Sequence, residues 1–123
     1  MIVSPYQFIG DYNVNEKRIS YFEKRELGQG GPIIGSILID GEEVSDGLKA
    51  AEFGGPFTVH QDCIIAPMLT LSLFSLVKID VNTGRIISKA AIRERLILIE
   101  SVIANTVFYY CDLENTVLKN CEI

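Results

Sequence analysis

The 123-residue sequence holds no tryptophan, one histidine, two methionines, three cysteines and four prolines. Each scarcity closes a class of function. Cysteines 63, 111 and 121 are odd in number and lack C-x-x-C spacing, so they build no disulfide scaffold and fit reduced thiols. A single histidine with scattered cysteines lacks the close ligand pairing of a structural zinc site, and no metal or cofactor is expected. Basic residues number 11 against 16 acids, and the pI is near 4.8. That balance argues against nucleic acid as a direct ligand, because phosphate binding needs clustered Lys and Arg. Long apolar runs are missing too. The stretch 63–77 is about 15 residues long and contains Pro67, short of the roughly 20 that a membrane-crossing helix needs. The stretch 96–107 is broken by Glu100. With no basic n-region ahead of an apolar run, the expectation is a cytoplasmic protein without a signal peptide and without a membrane partner.

What is present is a chain 48% hydrophobic and 22% charged, which excludes disorder. Its length sets one domain over residues 1–123. The net charge of −5 is concentrated. Residues 40–62 carry six acids (Asp40, Glu42, Glu43, Asp46, Glu52 and Asp62) against the one base Lys49, which accounts for all of it; the rest of the chain holds ten acids and ten bases. A smaller acidic excess follows at Asp112, Glu114 and Glu122, while 85–95 leans basic through Arg85, Lys89, Arg93 and Arg95. A one-sign patch of this size steers a basic partner at rates that fall with salt. The same charge also serves as a solvated loop that keeps an apolar chain soluble.

β-Branched and aromatic residues predict a strand over 2–9, alternation predicts one over 18–27 and a near-continuous apolar run one over 33–40, with a turn at Gly10-Asp11-Tyr12-Asn13. The cluster Gly28-Gln29-Gly30-Gly31-Pro32 breaks any regular element. Both faces of 33–40 are apolar, which predicts a central strand covered on both sides. Asp40-Gly41 is a favoured hairpin turn. A short helical turn over 49–53 precedes Gly54-Gly55-Pro56, and strands over 57–65 and 69–80 flank Ala66-Pro67. The loop at 80–84 returns into a strand from Arg85, and strands over 107–111 and 117–123 flank a turn at 112–116. Residues 89–103 place Ile92, Leu96, Ile99 and Ile103 at helical spacing but also contain a strand-like run, so a short helix and a strand both stand there. The fold class is therefore mainly β: an antiparallel sandwich or curled sheet of about six to nine short strands. Three segments, ending at Asp40, Asp80 and Asp112, share the form of an apolar strand closed by Asp and a turn, which matches common hairpin chemistry more closely than a propeller repeat.

Chemistry-bearing constellations are sparse. His60 and Cys63 carry the ingredients of a nucleophilic pair, but on one strand their spacing puts them on opposite faces. Gly28-Gln29-Gly30-Gly31 lacks the Lys-Ser/Thr of a phosphate loop. An enzyme is not expected. Tyr109 and Tyr110 are neighbours on a strand, so one faces outward, where a Tyr beside Asp112 and Glu114 suits a protein interface or simply covers the sheet.

The segments Phe53-Gly54-Gly55-Pro56-Phe57, Phe74-Ser75-Leu76-Val77-Lys78-Ile79-Asp80 with its Asn-Thr-Gly turn, and Phe108-Tyr109-Tyr110-Cys111-Asp112 together resemble one group. Over residues 50–115 the chain is similar to the small cytoplasmic immunity proteins of bacterial polymorphic toxin systems, including contact-dependent growth inhibition. That resemblance implies a non-enzymatic inhibitor that binds the effector domain of a cognate toxin and occludes its active site. Many such toxins are nucleases with basic clefts, and an acidic stretch offers carboxylates where the cleft expects phosphates. The candidate partner-binding residues are then Asp40, Glu42, Glu43, Asp46 and Glu52, followed by Asp62, Tyr109, Asp112 and Glu114. The alternative is a structural or adaptor β-domain that forms a homo-oligomer, favoured by a positive mean hydropathy beside 22% charge.

Overall fold

The computed structural model describes residues 11–28, 31–47 and 49–123. The strand expected over 2–9 lies outside the described residues, as do Gln29 and Gly30 of the breaker cluster.

All fourteen elements among the described residues are strands, and every pairing is antiparallel. The first three are β1 (Asp11–Val14), β2 (Lys17–Glu26) and β3 (Ile33–Ile39). Four two-residue strands follow: β4 (Glu42–Glu43), β5 (Ser45–Asp46), β6 (Lys49–Ala50) and β7 (Glu52–Phe53). Then come β8 (Thr58–His60), β9 (Cys63–Thr70), β10 (Leu73–Asp80) and β11 (Arg85–Lys89), and finally β12 (Leu98–Ile103), β13 (Thr106–Tyr110) and β14 (Leu118–Glu122). The count exceeds six to nine because the acidic segment folds into short pairs with no apolar run to announce them.

A continuous path β1-β2-β3-β7-β9-β10-β11 forms the main sheet, with β4 added to β3 and β8 to β9. The sheet turns a corner at β3. One register pair, Gly35 opposite Phe53, joins β3 to β7, and three residues later Leu38 and Ile39 pair with β4 instead. Two local features make the bend: β2 carries a bulge between Phe22 and Arg25, and Gly35 lies so close that a Cβ would sit 2.9 Å from the Phe22 carbonyl oxygen. Strands that switch layers through bulges are the usual corner device of packed sheets.

The bend folds β1–β4 over β7–β11 and closes a core between them. Ile19, Ile37 and Val44 come from one layer, and Phe53, Ile64, Val77 and Ile79 from the other. Tyr21 spans the gap, its hydroxyl donating to the Gly54 carbonyl at 2.8 Å while its ring stacks 6.0 Å from Phe57. The opposite face of β9–β10 carries a second core of Ile65, Phe74 and Leu76, covered by the meander β12-β13-β14 through Ile97, Val107 and Tyr109. Because β3 contributes Ile37 to the first core and Ile34 to the second, it is buried on both faces, as its sequence predicts.

Glu94 joins the meander to the main sheet. Its backbone exchanges two hydrogen bonds with Phe74, with the Phe74 N–H donating at 2.7 Å and the Glu94 N–H at 2.8 Å. Its carboxylate accepts from the Tyr109 hydroxyl at 2.7 Å and from Lys119 Nζ at 3.1 Å. These bonds explain why 89–103 holds no helix: the segment continues along the edge of β10, with Ala90 N–H donating to Leu76 O at 2.8 Å before Glu94 pairs with Phe74. Tertiary hydrogen bonding overrides the helical spacing of its isoleucines.

Three further expectations are corrected. Residues 11–14 are strand, and the turn is Asn15-Glu16, both at positive φ. Residues 49–53 form β6 and β7 rather than a helical turn. Pro67 does not interrupt β9. Its carbonyl accepts from Gly54 N–H at 2.9 Å, so its nitrogen faces the stretch between β7 and β8, where the ladder has no partner and a missing N–H costs nothing.

Candidate functional site

Folding at β3 brings four turns to one rim: Asn15-Glu16 after β1, Asp40-Gly41 after β3, Gln61-Asp62 after β8, and 81–84 after β10. Direct bonds fix their proximity. Asn15 Nδ2 donates to Asp62 Oδ1 at 2.8 Å, and Val81 N–H donates to the Asp62 carbonyl at 3.1 Å. Asp40 bonds back to β2, with Arg18 N–H donating to its Oδ1 at 2.8 Å and Lys17 Nζ 3.6 Å from its Oδ2. A groove of about 260 Å³ runs between the β3–β4 and β10–β11 turns, lined by Lys17, Asp40, Glu42, Glu43, Asn82 and Thr83 among others.

The six clustered acids therefore divide. Asp40, Glu42 and Glu43 share the groove, and Asp62 is tied to the same rim through Asn15 and Val81. Asp46 is neutralised by Lys89 Nζ at 2.6 Å, and Glu52 by Arg25 at 2.6 Å, so neither adds an open charge. In their place the rim gains Glu16 in its first turn, and Asp80, whose Oδ1 accepts from Asn82 N–H at 3.0 Å. Sequence spacing hid both, because they lie 24 residues before and 18 residues after the ends of the 40–62 acidic stretch.

The remaining candidates lie on the meander. Tyr109 is the inward member of its pair at 2% exposure, with its hydroxyl on Glu94, so it offers no surface anchor; Tyr110 takes the half-buried outer position. Burial and the hydrogen bond to Glu94 both push the Tyr109 hydroxyl well above its ordinary range. Asp112 is occupied by its own turn, accepting from Thr116 N–H at 3.1 Å and Val117 N–H at 3.0 Å and bonding the Thr116 hydroxyl, which holds its carboxyl below the ordinary value. Glu114 is exposed in the same turn. Neither residue joins the rim by any contact seen.

His60 and Cys63 are register partners across the two-residue turn between β8 and β9, so they share a face instead of opposing one another. The thiol is nonetheless not activated: burial pushes it up, with Asp80 and Asp62 adding to the effect and only Lys78 acting against it. Among the described residues no group of three or more His, Cys, Asp or Glu could hold a metal ion. No helix of the described residues is long and apolar enough to cross a membrane.

Searches against protein-family models, curated proteins and solved structures found no match for this chain.

Proposed function

We propose that the chain is a non-catalytic immunity protein that neutralises a cognate bacterial toxin effector domain, a basic nuclease, by laying its acidic rim over the toxin's phosphate-binding cleft in the cytoplasm. The observation that carries this reading is the convergence of Asp40, Glu42, Glu43 and Asp62, from two of the rim's turns, at one end of the fold, with Glu42 and Glu43 exposed, while Asp46 and Glu52 are paired away from the rim. Turns on a rigid β scaffold are where binding residues concentrate. Exposed carboxylates set fast, salt-sensitive association with Lys and Arg. The β4 pair Glu42 and Glu43 is exposed, so it can be reversed without disturbing the core.

The test is co-expression of the chain with a nuclease-type toxin domain that co-purifies with it, followed by titration of the pure pair. Glu42→Lys with Glu43→Lys should slow association at least tenfold and flatten its dependence on salt. Unchanged binding and an unchanged salt slope would refute the placement. If no basic domain is neutralised, the toxin reading falls.

A further inference from the structure

The basic stretch over 85–95 is not used by the acidic rim, and the fold places it on an open strand edge. β11 ends the path of the main sheet, so only β10 pairs with it. Ala90 N–H donates to Leu76 O, which makes the neighbouring pair, Val77 and Lys89, a non-bonded one and turns the N–H and C=O of Lys89 away from β10. The next three residues, Ala91, Ile92 and Arg93, make no backbone hydrogen bond among the described residues. Along this edge every second side chain is exposed: Arg85, Ile87 (56%), Lys89, Ala91 and Arg93. Three of these five are basic and none is acidic. Two grooves, of about 420 and 410 Å³, follow the same edge, with Arg85 lining the first and Arg93 the second. Lys89 and Asp46 line both, so their 2.6 Å bridge is the partition between them. One carboxylate already sits on this edge, on Lys89. Arg85 has no carboxylate partner among the described residues, and the Arg93 guanidinium reaches only the Thr70 carbonyl, at 3.4 Å.

We infer that this edge takes up an extended, acid-bearing peptide segment of another protein, which adds to β11 as a strand and lays carboxylates on Arg85 and Arg93. Unpaired main-chain groups of an edge strand bond extended backbone, and the side chains beside them select the sequence. From Arg85 to Arg93 the edge runs roughly 26 Å, the length of a nine-residue strand. The charges choose the occupant. A row of bases and a register shift between Lys78 and Ile79 guard the edge against its own kind. The same row repels a second β11 or a basic strand and draws one carrying Asp or Glu. Nucleic acid offers no peptide backbone to the open N–H and C=O groups, and the net charge of −5 opposes it. The inference stands apart from the toxin reading, because neither Glu42 nor Glu43 lines either groove.

Fluorescence anisotropy of a labelled synthetic peptide tests this, the probe having glutamate at both ends of a nine-residue chain with threonine and valine alternating between. The pure protein should bind it, and amide exchange at Lys89 should slow in the complex. A glutamine-ended form of the peptide should bind at least tenfold more weakly. Methylating the backbone nitrogens of the glutamate-ended peptide keeps its charge, removes its ladder donors and should abolish binding. Arg85→Glu with Arg93→Glu, both at exposed positions, should raise the dissociation constant at least tenfold. If that variant fails to fold, the peptide series on the wild type still decides. No binding of the glutamate-ended peptide, or equal binding of its glutamine-ended or methylated form, would overturn the inference. So would an oligothymidylate of the same length that binds more tightly, which would assign the edge to nucleic acid.

Discussion

Glu94 should be the most costly single carboxylate in the molecule, and its cost can be apportioned. Its side chain is 15% exposed, and it is the acceptor for Tyr109, itself buried at 2%. Glu94→Ala strands the Tyr109 hydroxyl with no partner, a loss of about 1–3 kcal/mol for a buried donor. Lys119 also loses its carboxylate, but it stands at the surface, where solvent screens the pair and the contribution is small. The expected total is about 2 kcal/mol. That corresponds to a fall in Tm of roughly 6–10 °C for a domain of this size. Tyr109→Phe removes the donor instead and should cost only about 1 kcal/mol, since Glu94 keeps Lys119. The two losses are not additive. In Glu94→Ala with Tyr109→Phe no buried hydroxyl remains unpaired, so the double variant should be more stable than Glu94→Ala alone by about 1 kcal/mol. Urea unfolding of the four proteins at pH 7 measures the cycle, and Glu94→Gln, which keeps an acceptor for Tyr109, should lie close to wild type. Strictly additive losses, or a double variant weaker than Glu94→Ala, would refute the claim that this bond fastens the meander to the main sheet.

Gly54→Ala should destabilise by about 1–3 kcal/mol through overpacking, because the new Cβ would sit 2.8 Å from Cε1 of Phe74; unfolding midpoints check this. Alkaline stability follows from Tyr21 and Tyr109, both raised above 10.0, with burial as the leading cause. The folded chain then holds more protons than the unfolded one, so stability is full below about pH 10 and falls as pH rises beyond it. Tyr109→Phe should flatten part of that fall in a pH series of unfolding midpoints. Asp112 is lowered from 3.8 by its bonds to Thr116 and Val117, so its contribution is present above that pH and lost as pH falls through it. Asp112→Asn should therefore weaken the acid limb of the same series. At neutral pH the raised Cys63 thiol should alkylate more slowly with iodoacetamide than a free cysteine, and faster labelling would contradict its placement.

The β class, the central position of β3 and the hairpins at Asp40-Gly41, 80–84 and 112–116 were legible because they rest on local rules: alternation, and Asp or Gly where a turn needs them. Two of the three strand-ending aspartates close their own turns, Asp80 through Asn82 and Asp112 through Thr116, while Asp40 reaches across to Arg18 instead. Features set by distant partners were not legible. The extended form of 90–97 depends on the Phe74 edge, and the union of Glu16, Asp62 and Asp80 with the 40–43 turn depends on a fold at Gly35. The Leu71-Ser72 turn was hidden because Leu-Ser lacks any turn signal, so 69–80 read as one strand. Tyr109 against Tyr110 was undecidable from adjacency; the bonded Glu94 decides it.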